Sequence, residues 1–253
     1  MALSPWPYPF WIAHRGAGTL APENTLAALR FGASHGWRAF ECDVKLSRDG
    51  VPFLLHDDSL DRTTSRTGLA ADFDWAELLR LDAGGWHSRA YAGEPLPSLD
   101  AVVRFVLRNG HTLNLELKPS PGQEHHTGHA VGAACLDLWR GTTLPPPLFS
   151  SFKPEALQGV RDAAPDMPRA LLLDTLWPGW FDAARALGCA AVVTQHRLMD
   201  GTLLQHLHGA GLRALCHTVN EAADARRLLA LGVDGLISDA VDVFAPGTAH
   251  VHG

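Results

Sequence analysis

The segment Phe40–Asp57 has the sequence FECDVKLSRDGVPFLLHD, which predicts two β-strands separated by a turn at the DG pair in positions 49 and 50. Side chains alternate between the two faces of a strand, so Glu41 and Asp43 point the same way, about 7 Å apart. Two carboxylates in an otherwise apolar strand are costly to bury unless a cation lies between them. The spacing therefore predicts a metal site. His56, at the end of the second strand, is a candidate acid or base beside it.

Strands and helices alternate regularly outside this segment. Apolar strand candidates occur at 11–13, 112–117, 147–152, 169–173, 191–194, 213–219 and 235–238, with helical stretches between most of them. Repeated βα units predict a parallel sheet covered by helices, and we prefer a TIM (β/α)8 barrel to a doubly wound sheet because no GxGxxG motif follows the first strand. With the two strands of the central segment the count is nine. One candidate is therefore misassigned or lies outside the barrel.

The stretch 58–97 departs from this alternation. It has a polar start, a short helix predicted at 75–81 and a glycine pair. We interpret it as a small insertion after the third strand, lying over the active-site face. The whole chain, 1–253, is predicted to form a single TIM-barrel catalytic domain that contains this insertion.

Composition excludes several classes of function. The net charge of −6 and the lack of a basic cluster argue against a nucleic-acid partner or an anionic membrane surface. No apolar run approaches the length of a membrane span, which argues against stable membrane insertion, and the N-terminus lacks the basic region of a signal peptide. The four cysteines are far apart and form no CxxC pair, which favours reduced packing residues and a cytoplasmic location.

Reactive residues fall at the ends of several predicted strands. His14 and Arg15 follow the first strand, and Glu116 and Lys118 share one face at the end of the strand at 112–117. In a TIM barrel the active site is built at the C-terminal ends of the strands. We therefore expect these residues to converge with the carboxylates of the central segment.

The charges of this set indicate what it binds. Glu41, Asp43 and Glu116 contribute −3 and Arg15 and Lys118 contribute +2, so the site alone carries −1. One divalent cation changes this to +1, which complements the single negative charge of a phosphodiester. Ligands that are all oxygen favour Mg²⁺ or Ca²⁺ over zinc, and three protein ligands leave positions for water and substrate.

Each motif also has a purely structural interpretation. The two carboxylates of the central segment could be partners of arginines, His14 a buried core histidine, and the pair His56-Asp57 a strand-end cap. Residues 23–25 are interpreted as helix capping first and substrate contact second. Residues 61–64 are interpreted as a structured loop.

Together these residues belong to a longer series of motifs. The series comprises AHRG at 13–16, PENT at 22–25, ExDV at 41–44, DGVP at 49–52, HD at 56–57, LDRTT at 60–64, LDAG at 81–84, NLELK at 114–118, SF at 151–152, TVN at 218–220 and GVDGLISD at 232–239. With this series the chain resembles the glycerophosphodiester phosphodiesterase family over nearly its whole length. Two positions depart from the family pattern: His217 stands where the family often has tryptophan, and no proline follows at position 241.

The resemblance implies a TIM barrel that hydrolyses glycerophosphodiesters, small-molecule substrates, to sn-glycerol 3-phosphate and an alcohol. It implies one divalent metal, two general acid–base histidines and two phosphate-binding residues, which match Glu41, Asp43 and Glu116; His14 and His56; Arg15 and Lys118. The sequence leaves open which histidine is the acid. It also leaves open whether the nucleophile is water or the neighbouring glycerol hydroxyl.

Three other functions are compatible with parts of the pattern. A phosphodiesterase of the lysophospholipase D type would need an apolar rim, for which Trp75, Trp86, Trp177 and Trp180 are candidates. A Schiff-base aldolase would use Lys118 as nucleophile, but Glu116 on the same face raises the pKa of that lysine. A barrel that only binds a metal and a phosphate ester would not need both histidines.

Overall fold

The computed structural model describes residues 5–244 and residue 246, and these contain nine β-strands. Their bounds are β1 (Trp11–Ala13), β2 (Ala39–Leu46), β3 (Pro52–Leu54), β4 (Thr112–Leu117), β5 (Leu148–Ser151), β6 (Arg169–Leu173), β7 (Ala191–Gln195), β8 (Arg213–His217) and β9 (Gly235–Ser238). All nine strand candidates are confirmed, with ends that differ from the predicted ones by a few residues at most.

Eight of the nine strands form a closed parallel barrel. Their order around it is β1, β2, β4, β5, β6, β7, β8 and β9, and β9 pairs with β1 to close the ring. The additional strand is β3, which pairs antiparallel with β2 and places Val44 opposite Leu54. The five residues between β2 and β3 are too few for the crossover helix that parallel strands need. The predicted TIM barrel is confirmed, and the surplus strand is the second half of the central hairpin.

Helices connect the strands and cover the outside of the barrel. Those described are α1 (Leu26–Ser34), α2 (Trp75–Leu78), α3 (Leu99–Asn109), α4 (Glu124–Leu138), α5 (Pro154–Ala163), α6 (Trp180–Ala186), α7 (Gly201–Gly209) and α8 (Ala222–Leu231). Local chemistry sets several ends: Thr25 and Ser98 accept hydrogen bonds from the first turns of α1 and α3, and Gly110 ends α3 with φ of 64°. The predicted helix at 75–81 is shorter than expected, since α2 ends at Leu78.

The inward face of the barrel explains where the polar residues lie. Ile12, Leu172, Leu215 and Ile237 pack in the interior, apart from the larger core between sheet and helices. Burying one such side chain contributes about 2 kcal/mol. The position two residues further along each of these strands faces the same way and reaches the mouth, by which we mean the end of the barrel at the C-terminal ends of the parallel strands. The interior is thus apolar below and polar at the mouth.

The stretch 58–97 packs around a small core of its own. This core includes Phe53 of β3 together with Leu60, Leu78, Ala83 and Leu96. Among the described residues there is no helix with both the length and the apolar character needed to cross a membrane.

Candidate active site

A strained turn at the end of β1 presents the first two site residues. Arg15 has φ of 50° and Gly16 has φ of 95°, both left-handed. A Cβ atom on Gly16 would lie 2.9 Å from Cβ of Ala28, so the turn packs against α1 only with glycine there. The backbone N–H of Arg15 donates to Oε2 of Glu41 at 3.0 Å. The turn is therefore fixed directly to the metal-site strand, with His14 at its start.

The three predicted metal ligands meet in the barrel interior. Glu41 and Asp43 come from β2, and Glu116 lies directly opposite Asp43 on β4. All three are buried, and one carboxylate oxygen from each lies within 4.8 Å of the others. Residues separated by about seventy positions in the chain thus form one acidic cluster, as the barrel register requires.

Two cations contact this cluster but do not neutralise it. Nζ of Lys118 lies 2.5 Å from Oε1 of Glu116 and 3.5 Å from Oδ1 of Asp43, while Nε of Arg15 lies 3.4 Å from Oδ2 of Asp43. Oε1 of Glu41 has no hydrogen-bond partner among the described residues. The acids are therefore not each paired with an arginine, and the structural alternative for them is not supported.

The pKa values show the cost of confining three carboxylates. Burial, followed by the charge of Asp43, raises the pKa of Glu41 to about 8 and that of Glu116 to about 7. Burial also works against the charge of Asp43, but Lys118 and Arg15 lower its pKa below the ordinary value. Without a cation, the pKa values of two of the three acids therefore lie at or above neutral pH. The residues present fit a divalent ion, which would replace the protons of these acids.

Asn24 orients the central carboxylate. Its side-chain NH₂ donates to Oδ2 of Asp43 at 2.7 Å, and its oxygen accepts from the backbone N–H of Asp43 at 2.9 Å. Asn24 is buried and has φ of 57°. The interpretation of residues 23–25 as helix capping holds for Thr25 alone, because Asn24 and Glu23 turn towards the site.

A carboxylate from the last strand holds His14. Nδ1 of His14 lies 2.6 Å from Oδ1 of Asp239, and Nε2 lies 3.8 Å from Oε2 of Glu41. Asn220 donates to the second oxygen of Asp239 at 2.9 Å and accepts from its backbone N–H at 2.9 Å. Burial alone would lower the pKa of His14, but the hydrogen bond with Asp239 and the charge of Glu41 raise it. The pKa of His14 therefore lies above the ordinary value for histidine.

A different network surrounds His56. Nδ1 of His56 lies 2.7 Å from Oδ1 of Asp57, and Arg62 donates to both oxygens of Asp57 at 2.7 and 3.0 Å. Arg62 also donates to both oxygens of Glu23, which accepts a further hydrogen bond from Arg15. Burial, aided by the charge of Lys118, lowers the pKa of His56, although Asp43 and Asp57 oppose this. The pKa of His56 therefore lies below the ordinary histidine value, whereas that of His14 lies above it.

His56 opens on the same cavity as the acidic cluster. This cavity has a volume of about 310 Å³ and is lined by Lys45, His56, Glu116, Lys118 and Phe152, among others. The side chain of Lys45 is buried beside it and donates to Asp58 at 3.0 Å. All seven predicted site residues therefore converge on one mouth.

The far side of the mouth is formed by three residues that we call the distal rim: Phe152, Asp174 and His217. They follow β5 and β6 and end β8. The rings of Phe152 and His217 meet edge to face with centroids 5.8 Å apart, and Nε2 of His217 lies 3.9 Å from Oδ1 of Asp174.

Sequence reasoning did not assign Asp239 or Arg62 to the site, and it gave Asn24 only a secondary interpretation as a substrate contact. Asp239 directly follows the apolar strand β9 and lies two positions after the inward-facing Ile237, which was the available signal. Arg62 lies in a stretch interpreted as a loop, and its two acidic partners cannot be identified from its local sequence.

Comparison with known proteins agrees with this geometry. The model of the glycerophosphoryl diester phosphodiesterase family matches residues 14–243. The Bacillus subtilis protein YhdW is 32% identical over 94% of this chain and 98% of its own length. A glycerophosphodiester phosphodiesterase from Caldanaerobacter subterraneus is 30% identical over 90% of this chain and 93% of its own.

A solved structure is similar in the same way. An Oleispira antarctica phosphodiesterase in complex with the product sn-glycerol-3-phosphate has a TM-score of 0.85 and 35% identity, over 92% of this chain and 94% of that one. Fold, site and sequence agree, and the chain therefore belongs to the glycerophosphoryl diester phosphodiesterase family of phosphoric diester hydrolases.

Proposed function

We propose that this chain hydrolyses glycerophosphodiesters to sn-glycerol 3-phosphate and an alcohol, and that it requires one divalent cation, Mg²⁺ or Ca²⁺. The observation that carries the proposal is the buried cluster of Glu41, Asp43 and Glu116, which has two cations for three carboxylates. The product bound in the Oleispira antarctica relative supports the choice of sn-glycerol 3-phosphate.

In this proposal the three carboxylates hold the ion, which supplies positive charge to the phosphoryl oxygens. Arg15 and Lys118 lie beside the same carboxylates and bind the phosphate as cations from two further directions. Burial alone would lower the pKa of Lys118, but Asp43 and Glu116 raise it. Lys118 therefore remains an ammonium, which disfavours the Schiff-base aldolase.

We assign the acid role to His14 and the base role to His56. The assignment rests on which other groups bind the two neighbouring carboxylates, Asp239 beside His14 and Asp57 beside His56. The carboxylate of Asp239 accepts a neutral amide hydrogen bond from Asn220, and no lysine or arginine of the described residues lies within 4 Å of it, so its charge is available to stabilise an imidazolium. Asp57 shares its charge with Arg62 and stabilises an imidazolium less. His14 then protonates the leaving alkoxide, and His56 removes a proton from the nucleophile.

The lysophospholipase D alternative is not favoured, because the tryptophans predicted for its apolar rim mostly pack inward. Trp75 contacts Phe53 at a ring distance of 5.9 Å, and Trp177 and Trp180 pack against the outer core. Trp86 is the exception, with 41% of its surface exposed. One exposed ring does not form a membrane-facing patch.

We further propose that the stretch 58–97 forms part of the wall of the site within a single catalytic domain. Its contacts with the β1–α1 region support this: Arg62 binds Glu23, Glu94 accepts from the backbone N–H of Ala27 at 2.9 Å, and His87 lies 3.0 Å from the Thr19 carbonyl. Hydrogen exchange in 58–97 should slow when sn-glycerol 3-phosphate binds. Unchanged exchange there would contradict this placement.

We propose a cytoplasmic location because of the state of the cysteines. All four are unbonded and buried, as is usual in reducing compartments. Recovery of the chain from an extracellular or periplasmic fraction would contradict it.

The direct experiment is an assay that couples release of sn-glycerol 3-phosphate to a dehydrogenase, with several glycerophosphodiesters as substrates. We expect turnover that EDTA abolishes and that Mg²⁺ or Ca²⁺ restores. Full activity in EDTA would contradict the metal requirement. Release of a phosphorylated alcohol in place of sn-glycerol 3-phosphate would contradict the proposed products.

A further inference from the structure

The distal rim faces the mouth because of strand alternation. Leu172 and Leu215 point into the barrel, and Asp174 and His217 lie two positions further along the chain from them. Their mutual contact of 3.9 Å confirms that both side chains reach the same place. Phe152 lies between them and the phosphate-binding residues, since its ring centroid is 5.7 Å from Nζ of Lys118.

One polar atom of this rim lacks a partner. Nε2 of His217 is buried, and it has no hydrogen-bond partner among the described residues. Its distance from Asp174 is too long for a hydrogen bond. Buried polar atoms in proteins are almost always hydrogen-bonded, and in the tautomer protonated at Nδ1 the free atom is an acceptor, so a ligand that supplies a donor here would be stabilised. Other atoms of the imidazole are exposed, and 18% of the side chain is accessible in all, so the ring borders the mouth.

The charge of the rim is negative. Burial lowers the pKa of His217 to about 4, so the imidazole is neutral at physiological pH and does not balance Asp174. Among the described residues, His217 is the one basic side chain within 4 Å of the Asp174 carboxylate, which is 68% exposed. The mouth is therefore bipolar, with Arg15 and Lys118 on the phosphate side and an unbalanced carboxylate on the other.

Resting on the function proposed above, we propose that Phe152, Asp174 and His217 bind a primary ammonium group on the alcohol half of the substrate. The preferred substrates are then zwitterionic glycerophosphodiesters with an aminoalcohol head group. An ammonium donates N–H groups to the carboxylate of Asp174 and to Nε2 of His217, and the ring of Phe152 attracts its charge. A trimethylammonium group has no N–H to donate, and a neutral polyol has no charge, so both bind this rim less well.

The test compares kcat/KM for glycerophosphoethanolamine, glycerophosphocholine and glycerophosphoglycerol, using the full chain with metal present. We expect glycerophosphoethanolamine to be preferred over glycerophosphoglycerol by about tenfold. Asp174→Asn should lower kcat/KM for glycerophosphoethanolamine by about fivefold and leave glycerophosphoglycerol unchanged. His217→Phe keeps a ring against Phe152 but removes the acceptor. It should lower kcat/KM for glycerophosphoethanolamine by about tenfold and leave that for glycerophosphoglycerol unchanged. His217→Gln, which restores an acceptor, should recover part of this loss.

Asp166→Asn is the matched control. Asp166 is an exposed aspartate in the loop before β6, at the opposite end of the strand that leads to Asp174, so its substitution should leave the substrate ratio unchanged. Equal kcat/KM for the three substrates in the unmodified chain would overturn the inference. So would variants of Asp174 and His217 that affect all substrates equally. Turnover of none of the three by the metal-loaded unmodified chain would instead contradict the proposed function.

Discussion

The two halves of the barrel mouth differ in how their polar groups are satisfied. In the half formed by β1, β2, β4 and β9, side chains hold one another: Asp239 orients His14, and Asn24 orients Asp43. In the distal rim, Nε2 of His217 has no protein partner within the described residues, and none of their lysines or arginines lies within 4 Å of the Asp174 carboxylate. On the functions proposed above, the first half is a reaction half that is organised before substrate binds, and the distal rim is a recognition half that would complete its hydrogen bonds with the substrate.

The largest expected effect lies in the organised half. His14→Ala removes the proposed acid and should lower kcat/KM by about 10³-fold, within the usual contribution of general acid–base catalysis. His217→Phe, by contrast, should lower kcat/KM for glycerophosphoethanolamine by about tenfold. Losses of similar size at the two positions would remove the distinction between the halves.

A substrate with a good leaving group sharpens this test. With a p-nitrophenyl phosphodiester the leaving group needs little protonation, so the loss in His14→Ala should shrink while that in His56→Ala remains. The comparison is made by the kcat/KM of both variants on both substrates. Rescue of His56→Ala in place of His14→Ala would reverse the assignment of acid and base.

Stability of the metal-free protein is expected to depend on pH through Glu41. Its pKa is about 8 in the fold against an ordinary 4.5, so between these pH values the folded state binds more protons than the unfolded state. The free energy of unfolding therefore falls as pH rises through this window, on the order of 1 kcal/mol per pH unit. Glu41→Gln should make the free energy of unfolding depend less steeply on pH, as measured by urea unfolding at a series of pH values between 5 and 8. The exposed Glu155→Gln is the control, and identical pH profiles for both variants would contradict the account.

Asp239→Asn tests the link between the two ends of the chain. The hydrogen bond with Asp239 helps to raise the pKa of His14, so its loss should move the alkaline limb of the pH–rate profile to lower pH and reduce kcat/KM by about tenfold or more. A loss of activity with an unmoved alkaline limb would show that Asp239 acts on the fold and not on His14.

The smallest expected effect concerns Arg62, whose side chain is 43% exposed. Its hydrogen bonds lower the pKa of Asp57. Arg62→Gln would leave more of the Asp57 charge to His56, raise the pKa of His56 and shift the acid limb of the profile upward, with about a twofold change in kcat. An acid limb that moves downward would contradict the proposed network.

The organised half was largely predictable from the sequence, because its signals are local. Glu41 and Asp43 show their shared face by spacing alone, and Glu116 with Lys118 repeats the pattern on another strand. Barrel topology then predicts that the ends of parallel strands meet. The role of β3 was not predictable, since a strand inside the barrel and one beside it can have the same apolar sequence.

Partners that are distant in the chain were also beyond the sequence. Asp239 holds His14 across 225 positions, and nothing in the residues around either one specifies the other. Arg62 lies in a polar stretch whose local pattern is that of any loop. His217 was noted as a departure from the family pattern, but its missing hydrogen bond is a property of the folded mouth and not of the strand.

Proton release on metal binding tests the central claim most directly. Mg²⁺ or Ca²⁺ is titrated into the metal-free chain by calorimetry at pH 6.5 and at pH 9, in buffers of different ionisation enthalpy. The pKa values of about 8 for Glu41 and about 7 for Glu116 predict saturable binding that releases protons at pH 6.5 and almost none at pH 9. Absence of saturable binding, or proton release that is the same in Glu41→Gln and Glu116→Gln as in the unmodified chain, would contradict it.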